Sequence, residues 1–254
     1  MTQQAIDALR ADREELLTVA RSLSPEEWAA PSDCAGWRVQ DVIAHMTTAM
    51  RQVVDPASVP ASDSGDVEQD MEVAVAPRKD WTPAQVLEDY EAISAQTIEA
   101  LTGLQQEPMA STEIALKNLG SHPMHLLANA FAFDHYCHLR VDILRPTGPI
   151  DRPPAPSDDL RLTPVMDWML AGLPQMNAAA LEKAVTAPVR LEFAGPGAAS
   201  LTLGGDGTFA ATIRSSAHDF VIWGTARRPW RDFDVTIDGD ADLACAVLDN
   251  INII

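Results

Sequence analysis

The chain has 254 residues, 46% of them hydrophobic, and a formal net charge of −19. This length allows one large domain or two ordinary ones, and the apolar fraction is enough for a substantial core. The negative charge excludes a basic nucleic-acid-binding surface and argues against binding to anionic membranes. No apolar run approaches the roughly 18 residues of a membrane span, and no signal-peptide pattern opens the sequence.

The chain has three cysteines, which are far apart in sequence and odd in number. Cys34, Cys137 and Cys245 include no Cys-x-x-Cys pair. This usage predicts reduced thiols and not a disulfide framework, so we expect a cytoplasmic protein whose partners are small molecules.

Apolar residues recur with a helical period through most of residues 1–145. Capping signals at Ser24 and Thr82 each precede a proline, which is typical of a helix start. Residues 55–80 are acidic and rich in proline, and we predict a surface loop there that could act as a lid. The pattern predicts an all-α four-helix bundle, with long helices near residues 5–22, 38–54, 83–104 and 122–145.

The fourth predicted helix has ionisable residues set into its apolar sequence. Asp134, His138 and Asp142 are four residues apart, so they form one row on a helix. Asp134 and His138 fall in a gap of the apolar stripe and are predicted to face the interior. A buried carboxylate and imidazole are costly without partners, and one metal ion would serve both.

Composition changes after residue 145. We predict a proline-rich linker over residues 146–157 and a smaller α+β domain over residues 158–254. Helices are predicted over 160–173 and 177–185, and Asp240 is a predicted N-cap for a last helix through Leu248. Strands are predicted over 189–193, 219–223 and 234–238, with a hairpin over 199–213 around the turn Gly204-Gly-Asp-Gly207.

A metal site needs three or four nitrogen, oxygen or sulfur ligands. His45 on the second long helix could join Asp134 and His138 at a common point within a bundle. His135, three residues before His138, is the alternative to Asp134. Spacing alone leaves open that the histidines are hydrogen-bonded core residues with Asp134 as their partner.

Other residues could contribute to the same site. Cys34 is a candidate nucleophile, although a small half-buried thiol in a tight turn is the simpler interpretation. His122 and His125 could line the same cavity. A local basic group in this acidic chain could bind a substrate carboxylate or could be a solvated loop; it consists of Arg227, Arg228 and Arg231.

The segment Ser32-Asp-Cys-Ala-Gly-Trp-Arg-Val-Gln-Asp-Val-Ile-Ala-His45 resembles the signature of the mycothiol-dependent maleylpyruvate isomerase family, within the DinB-like metal-binding superfamily. In that family a Gly-Trp turn leads into a helix of the form Val-x-Asp-Val-x-x-His, and this histidine binds metal. The family's second motif is an acidic residue followed four positions later by histidine, matched here by Asp134 and His138.

The resemblance implies a DinB-like bundle followed by a C-terminal domain similar to sterol-carrier-type folds. It implies that His45, Asp134 and His138 hold zinc or another divalent ion. The open position would bind the thiolate of mycothiol, which would attack a small electrophile in an S-transferase or a cis-trans isomerase.

The sequence departs from the family pattern at two points, which concern the third metal ligand and the arginine that binds the substrate. Asp134 stands where the family usually has glutamate, which keeps His135 open as the third ligand. The isomerases also use an arginine from the C-terminal domain, for which Arg227, Arg228 and Arg231 are candidates only. Alternatives to the thiol-dependent enzyme are a metal-dependent hydrolase and a non-catalytic protein that binds a small ligand.

Overall fold

The computed structural model describes residues 3–205 and 207–253, and its first half is built from helices. The apolar face predicted for the first helix is buried. Both predicted capping boxes form, with Ser24 accepting the N–H of Glu27 and Thr82 accepting that of Gln85. The helices are α1 Gln3–Ser22, α2 Pro25–Trp28, α3 Val39–Val54, α4 Val67–Val75, α5 Pro83–Gly103 and α6 Leu127–Cys137.

Helix α4 lies inside the region predicted to be an irregular loop, so that prediction is wrong for these nine residues. Asp66 caps the helix by accepting the N–H of Gln69 at 3.1 Å. Met71, Ala74 and Val75 are buried at helical spacing, which explains why the segment folds. Short 3₁₀ turns lie at Pro56–Ser58, Ala76–Arg78, Lys117–Leu119, Met124–Leu126 and Trp230–Asp232.

The fourth predicted long helix is shorter and less regular than expected. Residues before it form a small antiparallel pair, β1 Glu113–Ala115 with β2 Ser121–Pro123, and α6 begins only at Leu127. At its other end the chain continues as a π-helical segment, His138–Ile143. Such segments recur at functional sites.

The helices of the first half pack around shared apolar surfaces. Helix α1 packs against α5 and α6, and α3 packs against α5. Among residues 3–205 and 207–253, no helix combines the length and apolar character needed to cross a membrane.

The second half contains a four-stranded mixed sheet covered by helices. The strand order is β4-β3-β5-β6, in which β3 is parallel to β5 and the other neighbours are antiparallel. The alternating inward side chains of β3 and β5 are buried. The elements are α7 Asp159–Met176, α8 Ala178–Ala184, β3 Val189–Ala194, β4 Ala199–Leu203, β5 Ala211–Ser216, α9 Ala217–Trp223, β6 Thr236–Gly239 and α10 Ala241–Leu248.

The hairpin predicted over residues 199–213 is wrong, because β4 and β5 lie on opposite sides of β3. Strand β4 instead folds back on β3 through Gly195 and Gly197, which have φ of +86° and +72°. The predicted turn around Gly204 is therefore part of a crossover connection. Asp206, in the middle of that turn, lies outside the described residues.

The strand predicted over residues 219–223 is a helix, α9. Ser216 accepts the N–H of Asp219 at 3.0 Å and caps it. Phe220, Val221, Ile222 and Trp223 are consecutive and all buried, so these four residues show no alternation of apolar and polar positions. A short apolar run of this kind does not distinguish a buried strand from a buried helix. The predicted last helix forms as expected, with Asp240 as its N-cap.

Residues 146–157 contain no regular helix or strand, but the regions on either side are in direct contact. Helix α7 packs against both α1 and α6. Phe133 and Tyr136 of α6 belong to the same buried cluster as Trp168 and Phe220 of the second half. The core is thus continuous across the predicted linker.

A buried ionic group also joins the two halves. The Asp12 carboxylate on α1 accepts hydrogen bonds from Arg140 and Arg161, both at 3.0 Å, and Arg140 also binds Glu15. Burial raises the pKa of Asp12 to about 6, although the two guanidinium groups act to lower it. The carboxylate therefore depends on both arginines, which come from the π-helical segment and from α7.

We expect Asp12→Ala to lower the free energy of unfolding by about 1.5–3 kcal/mol, because Arg140 and Arg161 lose the buried carboxylate that they share and keep only Glu15 and Asp158. Chemical denaturation at neutral pH measures this. Asp7→Ala is the control, since Asp7 pairs with Arg10 on the exposed side of the same helix, and little change is expected there. Equal effects of the two substitutions would contradict the role given to Asp12.

Candidate active site

His45 on α3 is the first residue of the candidate site. The helix follows a turn at Gly36, whose φ of +81° side-chain-bearing residues rarely adopt. Asp41 accepts the backbone N–H of Arg38 at 2.9 Å and so fixes the first turn of the helix. The His45 imidazole is 5% exposed, and its ring centre lies 5.0 Å from that of Trp37.

Asp134 near the end of α6 and His138 at the start of the π-helical segment complete the group. Asp134 Oδ1 lies 3.3 Å from His45 Nε2 and 3.3 Å from His138 Nε2. The two imidazole rings meet edge to face, with centres 4.8 Å apart. Two helices thus bring two imidazole nitrogens and a carboxylate oxygen together, as the spacing and the resemblance predicted.

The two distances from the carboxylate oxygen to the imidazole nitrogens fit a shared divalent cation. Ligands about 2.0–2.1 Å from a tetrahedral metal are separated by about 3.3–3.4 Å. A charge-assisted hydrogen bond would be shorter, at about 2.7–2.9 Å. The buried Oδ2 of Asp134 and Nδ1 of His45 also have no hydrogen-bond partner among the described residues. His45, Asp134 and His138 could therefore hold a metal ion.

The opposite side of His138 is held by hydrogen bonds. Asp142 Oδ2 lies 2.7 Å from His138 Nδ1. Arg227 donates from Nε and a terminal nitrogen to the two Asp142 oxygens, at 2.8 and 2.7 Å. This arrangement places the Nδ1 proton of His138 toward Asp142 and leaves Nε2 facing Asp134 and His45.

The buried charges hold one another ionised. Burial acts to raise the pKa of Asp134, but His138 and His45 outweigh it and hold that pKa well below its usual range. Burial acts to lower the pKa of His138, but Asp134, Asp142 and Cys34 raise it well above its usual value. Burial likewise opposes ionisation of Asp142, whose pKa Arg227 and His138 nevertheless depress. At neutral pH both carboxylates are ionised, and a metal ion that binds this group would displace the Nε2 proton of His138.

His135, the alternative to Asp134, points elsewhere. Its Nδ1 lies 3.0 Å from the carbonyl oxygen of Phe131, and its Nε2 lies 3.0 Å from the hydroxyl of Tyr90. The imidazole is buried, and burial lowers its pKa to about 4. Both ring nitrogens are therefore engaged within the core, away from His45 and His138.

The three candidate arginines occupy different places. Arg227 lines the cavity next to the histidines but binds Asp142 with two of its nitrogens. Arg228 binds Asp33 at 2.8 Å. Arg231 binds Asp249 and lies over the ring of Trp230, outside that cavity. The structure therefore brings only the first of the three into the site.

Cys34, His122 and His125 were the remaining candidates. Cys34 is half-buried, lines the cavity, and has its Sγ 3.8 Å from His138 Nδ1. His122 Nε2 lies 2.9 Å from the carbonyl of Leu119, and His125 Nδ1 lies 2.9 Å from that of Ala110. Neither of these two histidines lines the cavity.

The cavity above the three candidate ligands has a volume of about 390 Å³, and we call it the polar cavity. Sequence reasoning missed part of its wall, which is helix α4. Glu68 and Glu72 of α4 line it, and Glu72 accepts a hydrogen bond from the indole N–H of Trp37. The signal was the capping residue Asp66 before apolar residues at helical spacing, which the nearby prolines obscured.

The match of this chain to a known family lies in its first half. The family model for the mycothiol maleylpyruvate isomerase N-terminal domain matches residues 9–143. The chain has no match among curated proteins.

Two solved structures share the overall fold, a helix-rich protein with a smaller mixed sheet. They are the mycothiol-dependent maleylpyruvate isomerase, at a TM-score of 0.58, and a histidine-to-alanine mutant of that enzyme, at 0.57. Each has 12% sequence identity, and each alignment covers 94% of this chain and 94% of the other. The family model matches more than half of the residues of this chain. The chain therefore belongs to the mycothiol maleylpyruvate isomerase N-terminal domain family.

Proposed function

We propose that this protein is a metal-dependent enzyme that uses mycothiol as a nucleophile on a small electrophilic substrate, as an S-transferase or a cis-trans isomerase. The observation that carries the proposal is the convergence of His45 Nε2 and His138 Nε2 on Asp134 Oδ1, each at 3.3 Å, beside a cavity. Membership of the family supports the thiol, because its solved members are described as mycothiol-dependent.

The proposed metal ligands are His45, Asp134 and His138. Asp134 is preferred to His135 because its carboxylate lies between the two imidazoles, whereas both nitrogens of His135 have partners in the core. Two imidazoles and one carboxylate form a donor set that suits zinc, which keeps one position open in catalytic sites. Zinc is therefore the proposed ion.

Each residue around the proposed ligands has a definable task. When bound, the divalent ion would lower the pKa of the thiol and favour its thiolate. Asp142 orients His138, and Arg227 holds Asp142 in turn. Trp37 packs beside His45 and restricts its ring.

We also propose the finer description of the fold that the resemblance suggests. Residues 1–145 would form a DinB-like four-helix bundle of α1, α3, α5 and α6, and residues 158–254 a unit related to sterol-carrier-type folds. The absence of helix and strand in residues 146–157 supports the boundary. The packing of α7 on α1 and α6 indicates that the two units would be stable only together. A cytoplasmic location fits the reduced cysteines.

We expect purified protein to carry about one equivalent of divalent metal per chain, and His45→Ala, Asp134→Ala and His138→Ala to lose most of it. Elemental analysis after dialysis measures this. His135→Gln should retain the metal, as should His125→Ala, which removes an imidazole outside the cavity. Loss of metal in His135→Gln with retention in Asp134→Ala would reverse the assignment of the third ligand.

Arg227→Met is expected to weaken metal binding by about 10–100-fold, because Asp142 would no longer be held against His138. Competition with a chelator of known affinity measures the change. Arg231→Met is the matched control, since it removes another arginine–aspartate pair that lies on the surface and outside the cavity. If both variants bind metal like the parent protein, Arg227 does not support the site.

Turnover of an electrophile is expected to require added mycothiol. The metal-loaded protein is assayed with and without the thiol, on maleylpyruvate for isomerisation and on an α,β-unsaturated ketone for thiol addition. Thiol-dependent consumption of either compound supports the proposal and identifies the reaction type. Hydrolysis of esters or amides at equal rates with and without the thiol would favour a metal-dependent hydrolase instead.

A further inference from the structure

A second cavity adjoins the candidate metal ligands on the side opposite His138. It has a volume of about 300 Å³, within the range of small-molecule sites. His45 and Asp134 line both this cavity and the polar cavity, whereas His138 lines only the polar one. The three proposed ligands therefore lie where two separate spaces meet.

The lining of the second cavity is mainly apolar, and we call it the apolar cavity. Its walls come from α3, α4, α6, α7 and the residues around β1. A ligand there would exchange water for aliphatic and aromatic contacts, which favours apolar molecules. The side chains that give this character are Met71, Leu116, Leu119, Leu127, Phe131 and Trp168.

The apolar cavity offers no unpaired cation to an anionic ligand among its described residues. Its one basic residue, Lys117, forms ion pairs with Asp70 and Asp63. Glu68 and Asp134 add two carboxylates to the lining. The proposed divalent ion would be balanced by Glu68 and Asp134, so a carboxylate placed in this cavity would lose its hydration without gaining an uncompensated counter-charge.

The polar cavity is also unfavourable for an acidic substrate. Its one guanidinium group, on Arg227, is bound to Asp142. Three of the five carboxylates that line the space are paired with Arg227, Arg228 or Lys79, and the other two would balance a bound divalent ion, so no positive charge is left over; the five are Asp33, Glu68, Glu72, Asp134 and Asp142. A substrate with carboxylates would therefore find no uncompensated cation on either side of the candidate ligands.

We propose that the apolar cavity binds the body of the electrophile and that this electrophile is neutral and largely apolar, not a dicarboxylate. This inference rests on the proposed function, with mycothiol in the polar cavity. For a conjugated ketone, the thiolate sulfur forms a C–S bond at the β-carbon and the displaced π electrons move to the carbonyl oxygen. The α-carbon then takes a proton from solvent, equal to the one that the thiol released.

A pair of substrates that differ by one carboxylate tests the proposal. Benzylideneacetone and its para-carboxylate present the same reactive double bond, and each enzymatic rate is divided by the uncatalysed rate with the same thiol. We expect kcat/KM for benzylideneacetone to be at least about tenfold higher, because the carboxylate would be desolvated without a partner. Equal values, or a preference for the carboxylate, would overturn the proposal.

Binding is measured separately from catalysis. The saturated analogue benzylacetone does not react, so isothermal titration calorimetry reports its affinity both with and without metal loaded. We expect it to bind at least about tenfold more tightly than its para-carboxylate under both conditions. Absence of that preference would count against the apolar cavity as the binding site.

A charge placed in the cavity should reverse the selectivity. Leu116 lines the cavity and is partly exposed, so Leu116→Lys can place a cation there without filling a closed core. We expect this variant to shift the ratio of the two kcat/KM values at least about tenfold toward the carboxylate. Val73→Lys is the matched control, because Val73 is 46% exposed on α4 and outside the cavity, and its ratio should stay within about twofold of the parent.

The outcomes separate this inference from the proposed function. Thiol-dependent turnover of both compounds at equal normalised rates leaves the proposed function standing and overturns the apolar electrophile. Preferential binding of benzylacetone without any thiol-dependent turnover retains the apolar cavity and overturns the proposed function. An unchanged ratio in Leu116→Lys, in a variant shown by circular dichroism to be folded, places the substrate elsewhere.

Discussion

The geometry of the candidate site depends on the Asp142 carboxylate. It is 1% exposed, and both of its oxygens are occupied by Arg227 and His138. A buried carboxylate is costly unless its hydrogen bonds are complete, so the position of Arg227 and the orientation of the His138 ring are linked. Because Arg227 follows α9, the second half of the chain determines how an imidazole of the first half is presented.

The same π-helical segment joins the site to the stability of the fold. His138 and Asp142 face the cavity, while Arg140 between them binds Asp12 on α1. Three buried ionisable side chains within five residues would be destabilising in isolation, and each has a partner from a different element. A change in the packing of α1 or α7 would therefore shift the π-helical segment and, with it, the positions of His138 and Asp142.

Residues of the site were more predictable from the sequence than the topology of the second half. The four-residue spacing of Asp134 and His138 and the Gly-Trp signature before His45 are local patterns, and local geometry alone places those side chains on known helix faces. The sheet order is not local. Whether β5 pairs with β4 or crosses to the far side of β3 depends on which apolar faces α7 and α10 cover, which no short sequence pattern specifies.

The sequence pattern also gave the wrong secondary structure for α9 and for α4, for two different reasons. Residues 220–223 are consecutive apolar residues that are all buried, so the period that identifies a helix is absent from them. Helix α4 has a clear period, but the prolines and acidic residues around it suggested a loop. Arg227 could be recognised as unusual in an acidic chain, yet its partner Asp142 lies 85 residues earlier and is identified only by the fold.

Helix α4 also explains how two unlike cavities can meet at one group of ligands. Glu68 and Glu72 are four residues apart and form one row, of which Glu72 lines only the polar cavity and Glu68 lines both cavities. Val67 and Met71 form the neighbouring row, which faces the apolar cavity. The difference in polarity between the two cavities therefore comes in part from the two rows of this nine-residue helix. A polar thiol and an apolar electrophile could approach the same ligand group from different directions without competing for the same surface.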